Sequence, residues 1–182
     1  IYKIYLGLPN LQKPVILHKI INRIYLFLFK RLFHHRMIRD IEDRKRTIKL
    51  GVNNKPRSYT IDVSLTSFPA RIEEVHITIE TIFNQTVKAD SVTLYLSKDE
   101  FKDKTLPKSL LSQQKRGLSI NFVDDTLRSH TKYYYAFLNQ KNNLIITFDD
   151  DSFYPDYSIE KLINAHFNNP TSIICNRGHK IN

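Results

Sequence analysis

Three consecutive carboxylates, Asp149, Asp150 and Asp151, follow the apolar run LIITF and precede SFYP. In an extended segment residues two apart project the same way, so Asp149 and Asp151 share a side while Asp150 points elsewhere. Neighbouring carboxylates repel one another unless a cation lies between them. A divalent metal meets that demand, and an all-oxygen site with room for water suits Mg²⁺ or Mn²⁺, which commonly complete their shells with substrate phosphates. The pattern therefore points to a diphosphate ligand rather than a bare structural ion. The competing explanation is helix capping, with Pro155 at the first helical position and Asp156 at the positive end. One carboxylate is explained in that way; three in a row are not.

Alternating strands and helices supply the frame. YTIDVSLTSF (59–68) is rich in β-branched residues and reads as a strand ending near Thr66. The run 71–85 places Ile72, Val75, Ile79, Ile82 and Phe83 at helical spacing. Strands are expected at 91–97, 118–125, 144–148 and 171–176, and helices at 106–117, 131–140 and from Pro155 through Phe167. This order implies an α/β domain with a mostly parallel, Rossmann-like sheet covered on both faces, whose ligands bind outside the carboxyl ends of the strands. Thr66, Ser67, Asp124, Asp125 and Asp149 to Asp151 all fall at such ends.

The 182 residues suffice for one sizeable core. The single cysteine, Cys175, has no intrachain partner, which suits a reducing compartment, and its apolar setting reads as core. Net charge is +10, with +11 over residues 1–60 and −1 over the rest. Within the basic part, residues 20–41 gather Ile20, Ile21, Ile24, Leu28, Leu32 and Phe33 near one helical face with Arg and Lys around it. The longest apolar run, Ile24 to Phe29, has six residues, whereas a membrane span needs about 20. Two readings stay open: a helix over 14–40 lying on an anionic membrane surface, or one packed against protein.

The acidic segment resembles the Asp-x-Asp motif of glycosyltransferases with the GT-A fold. SLTSFPARI, TIETIFNQT and SVTLYLS are similar to the opening strand, helix and second strand of family-2-like bacterial sugar transferases, and RSHTKYYYAF, LIITFDDDSFYP and IICNRGHKI to a subgroup that builds cell-surface polysaccharides. The resemblance covers about 59–181 and implies a nucleotide-sugar-binding half-domain over 59–182, preceded by a basic helical segment and connector over 1–58. It implies that Thr66 and Ser67 line the nucleotide pocket, that Arg71 and Lys132 meet base or phosphate, and that Asp149 and Asp150 contact the nucleotide sugar. Asp151, with Asp149, would hold Mn²⁺ or Mg²⁺. Asp151→Ala is then expected to abolish metal-assisted donor binding, and Asp150→Asn to do less harm. The implied partners are a nucleotide diphosphate sugar and a glycan or lipid-linked acceptor, in the cytoplasm or peripherally on the inner face of the plasma membrane.

The chain departs from that family at the end of the second strand, where an Asp that recognises uracil gives way to Tyr95-Leu96-Ser97; Asp124 or Asp125 could compensate. The family's acceptor pocket and catalytic base lie beyond residue 182, so no base is nominated. Tyr133, Tyr134 and Tyr135 point in different directions on a helix, so at least one belongs to the core. His130 and His179 read as structural, and Arg177 as a phosphate contact. Rival readings are a noncatalytic donor-binding remnant, a nucleotidyltransferase, which normally brings a Gly-rich loop that SLTSFPARI lacks, and a nucleic-acid-binding module, for which no motif appears. No nucleic acid partner is expected.

Overall fold

The computed structural model describes residues 50–176 apart from 104, 125, 126 and 140–142, together with 35, 36, 38, 39 and 43. The basic amphipathic helix, apart from those few positions, and Asp125, Arg177 and His179 lie outside the described residues. The chain divides into two units, Ile1–Thr47 and Ile48–Asn182.

The elements of the second unit are β1 (Ile61–Thr66), α1 (Val75–Phe83), β2 (Ser91–Ser97), α2 (Lys108–Gln114), β3 (Leu118–Val123), a 3-10 turn (Arg128–His130), α3 (Thr131–Asn139), β4 (Leu144–Thr147) and α4 (Ser158–Asn168). The four strands form one sheet in the order β3-β2-β1-β4, and every pairing is parallel. The chain steps outward from β1 through β2 to β3, then reverses to place β4 on the far side of β1. Right-handed crossovers put α1 and α2, which precede the reversal, on one face and α3, which makes it, on the other, while α4 follows β4 and returns to the first. The contacts agree. Ile61, Val63 and Leu65 join α1, α2 and α4 in one apolar core, through Ile79, Ile82, Phe83, Leu110, Ile159 and Ile163. The alternate residues Asp62, Ser64 and Thr66 belong to the other face, where the Ser64 hydroxyl donates to the Lys132 carbonyl of α3.

The fifth strand expected at 171–176 does not form: the segment is irregular, and Ile173 is 99% exposed. Cys175, expected in the core, is exposed with it. β-Branched composition alone cannot hold a strand; ladder bonds to a neighbour do. The last helix starts at Ser158 rather than Pro155, because the Pro155 carbonyl is engaged by the Ser158 amide and by Gln85.

The connector expected up to residue 58 is seated, over 51–57, on the amino-terminal end of the sheet. Gly51 donates its amide to the Arg116 carbonyl at 2.8 Å and lies so close to Phe83 that a Cβ would come within 2.2 Å of the ring. Only glycine fits there without displacing that ring. Asp90 accepts from Asn53 Nδ2 at 2.7 Å, Arg57 Nε at 2.9 Å and the Ile61 amide at 2.7 Å. Burial pushes the Asp90 carboxyl up, but these three donors outweigh it and hold it below the ordinary range. A depressed carboxyl contributes its stability in full above the unfolded value of about 3.9 and loses it as pH falls through the lower folded value. Asp90→Asn is therefore expected to cost about 1–3 kcal/mol near neutrality. In urea denaturation over a pH series, its gap from the wild type should close below about pH 4.

Candidate functional site at the carboxyl end of the sheet

The reversal between β1 and β4 leaves a crevice where their carboxyl ends diverge, as parallel sheets do at a switch in strand order. A cleft of about 910 Å³ opens there. Thr66, Ser67 and Arg71 reach it from the β1 exit, Asp149 to Asp151 from the β4 exit, and Lys132 from α3. The seven residues expected to meet nucleotide sugar or metal, Thr66, Ser67, Arg71, Lys132 and Asp149 to Asp151, thus line one cleft.

The three carboxylates are held differently. The Asp150 side chain is 10% exposed; it accepts from Ser67 Oγ at 2.6 Å and from Arg71 at 3.0 Å. Asp149 and Asp151, on either side, are 66% and 49% exposed. Asp149 Oδ1 pairs with Lys132 Nζ, and Asp151 Oδ2 with Arg71 at 2.7 Å. The alternation expected from an extended segment does not hold: the chain turns at Asp150 and Asp151, and both pair with Arg71 Nη1, so that Asp150, the most enclosed, becomes the most engaged of the three rather than the least. The hydrogen bond that Arg71 donates to Asp150, reinforced by the charges of Asp150 and Asp151, raises the Arg71 guanidinium above its ordinary range. Arg71 also lies over the Phe68 ring, 5.3 Å from its centroid.

These pairs change the electrostatic premise. The repulsion among the acids is met by Arg71 and Lys132, so the acids alone no longer demand a metal. Among the described residues, no three His, Cys, Asp or Glu side chains gather as a metal-binding group. A divalent ion that takes one or two carboxylates and completes its shell with water and phosphate still fits the donor set, since Asp149 and Asp151 are oxygen ligands, exposed on the cleft, and each ion pair uses one oxygen.

The hydroxyls are committed as well. Thr66 Oγ1 donates to the Tyr95 carbonyl at 3.0 Å, and the Ser67 proton goes to Asp150. Each oxygen retains acceptor capacity only.

The acidic loop is gripped from α1 and the turn after it. Thr78 Oγ1 donates to the Asp150 carbonyl at 2.9 Å, and Thr81 Oγ1 accepts from the Tyr154 amide at 3.3 Å. Gln85 Nε2 donates to the Pro155 carbonyl at 2.7 Å, while its Oε1 accepts from the Ile159 amide at 2.9 Å and so caps α4, which has no local side-chain cap. The Thr86 amide donates to the Asp156 carbonyl at 2.6 Å. Within the loop, the Tyr154 hydroxyl accepts from the Asp149 amide at 2.8 Å, and its ring meets Phe148 with centroids 4.2 Å apart. Burial pushes this phenol up to about 12, so it stays protonated at physiological pH.

Further cleft residues were not singled out from the sequence. Asp99 and Glu100 follow β2 by two and three residues, and Arg128 and Ser129 precede α3. The acid missing at the end of β2 thus has a counterpart two positions on; an acid just past a strand's carboxyl end was the available signal. Asp124, considered for that role, pairs with Lys98 and is not among the cleft residues. Arg128 adopts φ +52°, a left-handed conformation that non-glycine residues seldom take. The three tyrosines divide as the helix requires: Tyr135 stacks on Tyr95 while Tyr133 and Tyr134 are exposed, and His130 bonds the Tyr133 hydroxyl at 2.8 Å.

No protein-family model matches the chain, and no curated protein matches it.

Gln85 is 2% exposed and serves a carbonyl and an amide that lose their partners together when it is truncated. Gln85→Ala is expected to destabilise by about 2–4 kcal/mol, and Asp150→Asn by about 1–3 kcal/mol through the Arg71 contact. Denaturant midpoints measure both, and hydrogen exchange should rise first across 149–159.

Proposed function

We propose that this body binds a nucleotide diphosphate sugar together with a divalent cation and belongs to a glycosyltransferase that extends a cell-surface glycan or a lipid-linked acceptor. The observation that carries the reading is the charge balance of the cleft. Five carboxylates, Asp99, Glu100 and Asp149 to Asp151, stand against three cations, Arg71, Arg128 and Lys132. Such a cleft repels a diphosphate on its own, and a metal at Asp149 and Asp151 reverses that balance locally. The topological switch point is also where parallel sheets take nucleotides.

In this reading Asp151 and Asp149 hold Mn²⁺ or Mg²⁺, which when bound neutralises the diphosphate as a leaving group. Lys132 turns from Asp149, and Arg71 from Asp151 while it keeps Asp150, toward phosphate oxygens, Lys132 as a point charge and Arg71 through its planar fork. Asp99 and Glu100 accept hydrogen bonds from ribose or sugar hydroxyls. Asp150, spent on Ser67 and Arg71, positions the loop and does not bind the ion.

One rival draws on a specific observation. Each acid of the triad already has a basic partner, which favours a body that holds its ligand without metal and without transfer.

Calorimetry on the full chain with Mn²⁺ and a panel of nucleotide diphosphate sugars separates them. The proposal expects binding that a chelator abolishes and that Asp151→Ala weakens at least about tenfold. Donor affinity that is the same with chelator and in Asp151→Ala would establish the metal-free rival, and no binding across the panel would end both.

A further inference from the structure

Helix α3 has two unlike sides. Thr131, Lys132 and Ala136 are turned to the sheet, whereas Tyr133, Tyr134, Phe137 and Leu138 are 40%, 45%, 64% and 57% exposed. At spacings of one, four and five residues these four make one continuous face. The outer helix of an α/β domain normally carries charge on that side, yet no residue from 133 to 139 is charged. The face is aromatic and aliphatic throughout.

Its size and chemistry select among occupants. At about 200 Å² for each large side chain, the exposed fractions give on the order of 400 Å². A stable protein pair needs about 800 Å² from each partner, so this face is roughly half of what a second copy would require. A bilayer interface sets no such threshold, because each inserted apolar group contributes without shape matching, and a tyrosine there keeps its ring in the apolar layer and its hydroxyl among the headgroups. Attraction to acidic headgroups comes from residues 1–60 of the same chain, which carry +11 against −1 for the rest, and α3 adds apolar insertion. Among the described residues, no helix is long and apolar enough to cross a membrane, so contact of this kind is peripheral.

We propose that the outer face of α3 is a lipid-contact surface that seats in the interface of an anionic bilayer. Arg128, Ser129 and Lys132 of the cleft lie within a few residues of Tyr133. Lipid contact through α3 therefore brings one rim of the cleft to the bilayer surface, where a lipid-linked acceptor is presented. That last step rests on the glycosyltransferase reading; the lipid contact does not.

The test uses the full chain carrying Cys175→Ser, with a single cysteine placed by Phe137→Cys or, as control, by Leu111→Cys on the exposed side of α2. Each is labelled with a polarity-sensitive fluorophore and mixed with phosphatidylcholine vesicles with or without phosphatidylserine. The 137 label should brighten and shift to the blue on phosphatidylserine vesicles, and the 111 label should not. The unlabelled Phe137→Asp/Leu138→Asp variant should lose affinity for those vesicles on the order of tenfold, with an unchanged circular dichroism spectrum. A 137 label that stays in water when the chain is bound, an absence of vesicle binding, or a shift that comes from self-association without lipid overturns the proposal. Vesicle binding with no sugar-nucleotide binding would sink the reading above and leave this one standing.

Discussion

A carboxylate held nearly out of water must be met by donors, and Asp150 is met by a hydroxyl and a guanidinium that arrive from a different strand. Ser67 and Arg71 leave β1; Asp150 leaves β4. Those two strands are neighbours in space but separated in sequence by the whole excursion through β2 and β3. The contact therefore closes the end of the sheet where the strand order reverses. Its second effect is on the loop: with Asp150 anchored to Ser67 and Arg71, Asp149 and Asp151 on either side stay exposed in the cleft.

Beneath that contact the acidic loop has little freedom. Thr78, Thr81, Gln85 and Thr86 hold it at successive points, so the loop is in effect an extension of α1 and its terminal turn. On the other side of the sheet, the polar face of β1 holds α3 at the Lys132 carbonyl, which sets where that ammonium enters the cleft. Lys132 thus comes from the layer opposite the loop's hold and Arg71 from the β1–α1 connection, and both meet the acids at the sheet's end. A site assembled this way is pre-organised, with its ordering completed during folding rather than during ligand capture.

The parts of this arrangement that were legible in the sequence are those carried by local pattern. β1, β2 and the core face of α1 announce themselves because burial imposes a period of two or 3.6 on the apolar residues, and Thr66, Ser67 and Asp149 to Asp151 were found because strand ends in a parallel sheet converge, whereas Arg71 and Lys132 came only from the family resemblance. What pattern cannot supply is direction and partnership. Alternation set Asp150 against both neighbours, but the chain turns at Asp150 and Asp151, which meet the same Arg71. The 171–176 run has strand composition, yet composition is shared by buried strands and by exposed apolar segments, and here the segment is exposed. The role of Gln85 depends on carbonyl and amide partners 70 and 74 residues away, and no local periodicity encodes that. The pairing of each acid with a base was likewise hidden, and it alters the inference drawn from their proximity.

Most of the hold on the acidic loop falls on carbonyls and amides, groups that every amino acid carries. The side chains at 149 and 151 are consequently released from any duty to the architecture. Descendants of this chain can exchange those two acids while keeping the loop's path, so chemistry at this position drifts under selection for activity alone, whereas Thr78, Thr81 and Gln85 drift only at the expense of the scaffold itself.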